Sequence, residues 1–174
     1  MITKADDASK MPMLPRMGWQ LVMQKPFDRI NYYGRGPVES YSDRNNSAFI
    51  GSYTELVSDQ FFPYIRPQET GNKSDLRWFK LVDFGGKGVK VHAPQAFNAK
   101  ALHFATEDLD DGKQKDQRHS GELDERDFTV LSVDFKQLGL GCIDTWGAIA
   151  NPEYRIPYGN YEFTFLLEPT SLIQ

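Results

Sequence analysis

One cysteine, three histidines and no long apolar run are what this 174-residue chain has least of. Cys142 stands alone, so an intrachain disulfide is excluded and the redox compartment stays open. With no histidine close to it in sequence, it reads as a small buried hydrophobe. No segment approaches the roughly 20 apolar residues of a membrane helix, so no membrane partner is expected. Residues 1–10 are polar and carry no signal peptide. The chain reads as soluble, with cytoplasm and periplasm both open. The spacing of His92, His103 and His119 matches no zinc signature, so no metal site is expected. Phosphate-cradling loops, nucleophile elbows and kinase-like signatures are missing too. The net charge of −4 is mild and its signs are interspersed, which argues against a nucleic-acid partner. Considered alone, the chain carries no self-sufficient catalytic apparatus, and no catalytic residue is expected in it.

What is present is β-rich. The chain is 40% hydrophobic and 13% aromatic, with 12 phenylalanines and 8 tyrosines, the residue types that fit a pleated surface. Its length suits one domain that buries roughly 70% of its unfolded surface. Residues 1–13 read as an irregular lead-in and residues 14–174 as a β-sandwich domain. Alternation predicts strands over 19–24 and 29–33, joined as a hairpin through Lys25-Pro26-Phe27-Asp28. Residues 48–56 fit a helix or a strand equally. The stretch 58–73 has no clean alternation; Phe61, Phe62, Tyr64 and Ile65 are its candidate pins. Further strands are predicted over 76–83, 88–93, 97–105, 128–136 and 161–167, the first two of these joined by the turn Phe84-Gly85-Gly86-Lys87. Thr106 reads as the N-cap of one short helical turn, and 110–127 as a charged surface excursion. The fold class is all-β, a sandwich.

Two kinds of residue are candidates for chemistry. Glu39 and Glu69 are the best-placed acids, either for sugar chemistry or as partners of backbone N–H groups and of arginines such as Arg35, Arg44 and Arg66. His103 falls in phase with Phe97, Ala99 and Ala101, as a hydrogen-bonded core histidine would, whereas His92 lies on the opposite phase. The run Gly139-Leu140-Gly141-Cys142-Ile143-Asp144-Thr145-Trp146-Gly147 holds three glycines and one tryptophan. Such a ring either stacks on the apolar face of a sugar or plugs the core under its own loop.

Gly34-Arg35-Gly36-Pro37-Val38-Glu39-Ser40-Tyr41-Ser42-Asp43-Arg44 resembles the G-x-G-P-x-E-x-Y-x-D-R signature in the C-terminal domain of the large, multidomain bacterial β-galactosidases, the family-two glycoside hydrolases. Leu14-Pro15-Arg16-Met17-Gly18 is similar to the segment preceding that signature. Phe62-Pro63-Tyr64-Ile65-Arg66-Pro67-Gln68-Glu69-Thr70-Gly71-Asn72 is similar to the P-Y-x-x-P-x-E-x-G-x stretch. The 139–146 run resembles the G-x-G-x-x-D-S-W loop, with Thr145 replacing serine. Pro152-Glu153-Tyr154 and Gly159-Asn160-Tyr161 continue the likeness, which covers roughly residues 14–168.

This resemblance implies the later part of the terminal domain, the small-chain region: a partial β-supersandwich akin to the galactose mutarotase-like fold. It implies that the catalytic glutamates, and the magnesium and sodium of the parent enzyme, belong to other domains, with no cofactor held in this chain. Trp146 and Asp144 are then the substrate-binding residues, reaching a galactoside through the parent active site. Gly34, Gly36, Pro37, Glu39, Tyr41, Asp43, Arg44, Glu69 and Gly71 are signature-loop residues with a bracing role. The partners are the remaining domains of the parent, and missing strands would drive the isolated, inactive chain to self-associate. A freestanding carbohydrate-binding module using Trp146 and the aromatics near Tyr64 is the alternative. An aldose-epimerase-like enzyme pairing His92 or His103 with Glu69 is a third reading.

Overall fold

The computed structural model describes residues 11–112, 119–141, 143–144 and 147–171. Cys142, Thr145 and Trp146 lie outside the described residues, and so do the expectations placed on them. Among the described residues seven strands form one antiparallel sheet: β1 (Arg16–Gln24), β2 (Arg29–Gly36), β3 (Phe49–Leu56), β4 (Lys73–Val82), β5 (Gly88–Leu102), β6 (Phe128–Gln137) and β7 (Leu166–Thr170). Among the described residues the only α-helix is the single turn α1 (Thr106–Leu109). The all-β expectation holds, in an arrangement consistent with a sandwich.

The strand order is β1-β6-β5-β4-β2-β3, with β7 paired to β5 beside the main path. The expected β1–β2 hairpin is therefore absent: β1 pairs with β6, and β2 with β3 and β4. Four residues nevertheless connect β1 to β2 across four strand spacings. A flat sheet would separate them by about 19 Å, more than the roughly 18 Å a fully extended link could span. The link is not extended, since it turns through a 3.1 Å hydrogen bond from Phe27 N to the Gln24 carbonyl. The sheet must therefore curl, bringing β1 and β6 back over β2 and β4. Thr129 of β6 closes the curl by donating to the Phe27 carbonyl at 2.9 Å.

Inside the curl, alternate residues form one apolar core. Ile30, Tyr32, Phe79, Leu81, Val91, Phe97, Leu131 and Val133 are all within 1% of full burial, with Leu21, Met23, Phe27, Phe163 and Phe165 packed against them. The opposite face of β1, β5 and β6 is mixed: Leu102 packs there with Phe104 and Leu109 in a second, smaller apolar cluster, beside a polar patch. Lys100 lies across from Ser132, Asn98 and Gly18 flank Asp134, and Gln20 donates to Ser132 at 3.0 Å. Lys100, Ser132 and Asp134 are buried all the same.

Residues 48–56 resolve as a strand. The two strands expected over 88–93 and 97–105 are one, β5. Pro94 sits where the register with β4 shifts and no ladder partner needs an N–H. The turn at 84–87 is as expected, closed by Gly86 N on the Asp83 carbonyl. The closing strand begins later than predicted, at Leu166. The helical turn is capped by Asp108, which accepts from Ala105 N at 2.9 Å, and Thr106 is its first helical residue. Of the four expected pins of the 58–73 stretch, Phe61 packs on Phe104 and Tyr64 on Phe62. Ile65 is 82% exposed and pins nothing. No helix among the described residues is long and apolar enough to cross a membrane.

Candidate functional site

The four resembling segments meet at one end of the sheet. Residues 34–44 leave β2 through a cis Gly36–Pro37 peptide and zip onto the start of β4. Ser40 N donates to the Asn72 carbonyl at 2.8 Å, Asn72 Nδ2 returns to the Ser40 carbonyl at 2.7 Å, and the Ser40 and Ser74 hydroxyls bond at 2.8 Å. Gly34 and Gly36 lie in β2, against β3.

Glu39 is the hub of this zipper. One carboxylate oxygen accepts from Arg44 and from the Tyr64 hydroxyl. The other accepts from Gly71 N at 2.7 Å, with the Thr70 hydroxyl 3.3 Å away. The Arg44 guanidinium also lies over the ring of Tyr41, 5.1 Å from its centroid. Burial, then the pull of Glu39 on its proton, raises the Tyr64 hydroxyl above the usual phenol range. Burial, reinforced by Glu69 and Glu39, does the same to Tyr41. Both oxygens of Glu39 thus have partners within the chain.

Asp43, on the same segment, reaches the glycine loop. Its carboxylate accepts from Leu140 N at 3.0 Å and Gly141 N at 2.8 Å. Gly139 N donates to the Tyr154 carbonyl at 2.9 Å. A side chain at 139 would collide with Asp43, 2.6 Å from its Oδ2, and with Tyr154 Cβ. Gly141 has φ +81°, a conformation that costs other residues strain. Both glycines therefore follow from the backbone path that Asp43 and Tyr154 impose. Further along, Asp144 accepts from Ala148 N at 3.2 Å. Leu138 N closes the base on the Pro15 carbonyl at 2.9 Å.

Glu69 belongs to a second cluster, on the polar patch of the sheet. It bonds Arg16 on one oxygen and Lys100, at 2.6 Å, on the other. Arg16 Nη1 lies 3.6 Å from Asp134 Oδ2. Burial raises the Asp134 carboxyl from 3.8 to about 6 against the pull of Arg16 and Lys100. Burial lowers the Lys100 ammonium, and Glu69 opposes that. Sequence reasoning named Arg35, Arg44 and Arg66 as the arginine partners, whereas Arg16 takes that place at Glu69, and it missed Lys100, Asp134 and Gln137. The available signal was an acid inside an otherwise apolar strand, Leu131-Ser132-Val133-Asp134.

A family model described as beta galactosidase small chain matches residues 2–167. The chain belongs to that family. The β-galactosidase of Priestia megaterium is 35% identical over 161 residues, covering 91% of this chain and 15% of that protein. That of Streptococcus thermophilus is 35% identical over 166 residues, covering 94% and 16%. The β-galactosidase of Lactobacillus delbrueckii subsp. bulgaricus is 36% identical over 148 residues, covering 84% and 14%. The chain thus spans about one-seventh of the length of the curated relatives it matches.

In this small chain the histidines are engaged elsewhere than an epimerase pairing needs. His103 is buried, its Nδ1 3.1 Å from the Phe128 carbonyl and 3.2 Å from the Thr129 hydroxyl. His92 faces Glu168 at 3.3 Å. Glu69 is taken up by Arg16 and Lys100. Among the described residues no three His, Cys, Asp or Glu side chains gather as metal ligands.

Proposed function

We propose that this chain is the later part of the terminal domain of a family-two β-galactosidase, on a galactose mutarotase-like supersandwich. It serves there by presenting Trp146 to a galactoside whose hydrolysis is performed by glutamates of another domain. The observation that carries this reading is the Asp43 clamp. A buried-side carboxylate spends both oxygens on the base of the one loop that bears the tryptophan, and Asp144 organises the same loop further along.

In the parent reaction, water replaces the leaving group at a terminal β-galactoside through a galactosyl-enzyme intermediate. Trp146 takes no proton and forms no bond. Its indole removes apolar C–H surface of the sugar from water, and a stacked patch of roughly 60 Å² contributes about 1.5 kcal/mol, roughly tenfold in affinity. Asp43 and Asp144 hold the described backbone on either side of Trp146, which lowers the entropic cost of ordering the loop on binding. Trp146→Ala in the full-length enzyme tests the reading. KM and the product inhibition constant should each rise about tenfold, with the melting temperature unmoved. Unchanged Michaelis behaviour would remove the platform.

A further inference from the structure

On the mixed face of the sheet, Arg16, Glu69, Lys100, Gln137, Leu109 and Leu138 line a cleft of about 520 Å³, within the range of small-molecule sites. Its floor is built but not self-satisfied. Among the described residues, Gln137 is 9% exposed and neither its Nε2 nor its Oε1 has a hydrogen-bond partner. Arg16 Nη1 and Asp134 Oδ2, facing each other at 3.6 Å, lack one as well. Arg16 and Asp134 at least meet as an ion pair, but buried polar atoms are nearly always paired, so an amide in the cleft lining with both ends unanswered calls for an explanation.

The kind of ligand follows from the charges and the orphans. Two cations, Arg16 and Lys100, stand against two acids, Glu69 and Asp134, so neither an anion nor a cation is preferred. The Gln137 amide offers one unanswered donor and one unanswered acceptor, and a hydroxyl is the group that both gives and takes a hydrogen bond. Pro15, Leu109, Leu138 and Leu140 supply an apolar wall. We propose that this cleft is a second saccharide subsite, holding a neutral polyhydroxyl ligand between Glu69, Arg16 and the Gln137 amide, separate from the loop that carries Trp146. Both Gln137 amide atoms are sealed from solvent in the unliganded chain, so binding turns the side chain into the cleft that it lines.

The test is titration of the full chain with D-galactose and with lactose, followed by the Gln137 side-chain amide resonances and by calorimetry. At least one sugar should move those resonances saturably. Gln137→Met, which keeps the volume and removes both amide groups, should weaken that sugar at least about tenfold. Trp146→Ala should leave it bound. If neither sugar shifts the Gln137 amide, the cleft holds only water and the proposal is overturned. It is equally overturned if binding survives Gln137→Met but is lost in Trp146→Ala, an outcome that would leave the tryptophan platform standing. Should Gln137→Met fail to fold, the wild-type amide titration decides by itself.

Discussion

Glu39 and Asp134 are both buried or nearly buried acids at the same end of the sheet, each beside an arginine, yet their surroundings differ. Both oxygens of Glu39 are answered, by Arg44, Tyr64 and Gly71. Asp134 Oδ2 and Arg16 Nη1 meet only as an ion pair at 3.6 Å, and among the described residues neither end of the Gln137 amide has a hydrogen-bond partner. A fully satisfied network rigidifies, whereas a partly satisfied one costs the protein free energy unless something else completes it. The first cluster is therefore a brace, fixing the path of residues 37–44 so that Asp43 can hold the glycine loop. The second has the character of a site, and its polarity lies on the face of the sheet turned away from the apolar core.

The largest effect that could break this contrast is at the brace. Glu39→Ala should destabilise the fold by about 3 kcal/mol, because it strands Arg44 and two hydroxyls at once. For a chain of this size that is a melting shift of roughly 6–12 °C. A shift no larger than that of Gln137→Met would erase the distinction between the clusters.

Next comes the pH response of Asp134. Its carboxyl holds a proton more tightly folded than unfolded, so folding takes up a proton between about pH 4 and pH 6. Its contribution to stability consequently falls as pH rises through that window and is constant above it. The displacement from 3.8 to about 6 corresponds to roughly 3 kcal/mol. Asp134→Asn should gain about that much relative to wild type between pH 4 and pH 7, measured by denaturant titration at each pH. A difference independent of pH would mean that Asp134 titrates normally.

Gly141→Ala should cost about 1–2 kcal/mol, from the positive φ and from a Cβ only 2.9 Å from the Ala148 carbonyl. Smallest of all, Gln137→Met should lie within about 0.5 kcal/mol of wild type or be more stable, because it deletes orphaned atoms without opening a cavity. Loss of more than about 1.5 kcal/mol would show that the amide is satisfied in solution.

How far these features could be read in advance depended on whether the interactions were local. The strands, the 84–87 turn and the hydrogen-bonded His103 follow from alternation and turn chemistry, which act over a few residues. The β1–β2 link was misread because Lys25-Pro26-Phe27-Asp28 makes a turn in either topology, and only the pairing of β1 with the distant β6 distinguishes them. Asp43 was legible as a bracing residue, but its reach to Leu140 and Gly141, nearly a hundred positions away, was not. The cluster at Arg16, Lys100, Asp134 and Gln137 was missed for the same reason. Its members come from three strands and look unremarkable one by one, and only the register of β1, β6 and β5 brings them under Glu69.

The link from Asp43 to the tryptophan loop is tested most directly by the steady-state kinetics of Asp43→Ala in the full-length enzyme, set beside Trp146→Ala. If Asp43 holds that loop for sugar, the two variants should raise KM for the galactoside by a similar factor, about tenfold, with kcat changed much less, and Asp43→Asn should recover part of the loss. An Asp43→Ala enzyme that folds, with KM like wild type while Trp146→Ala is impaired, would contradict the account.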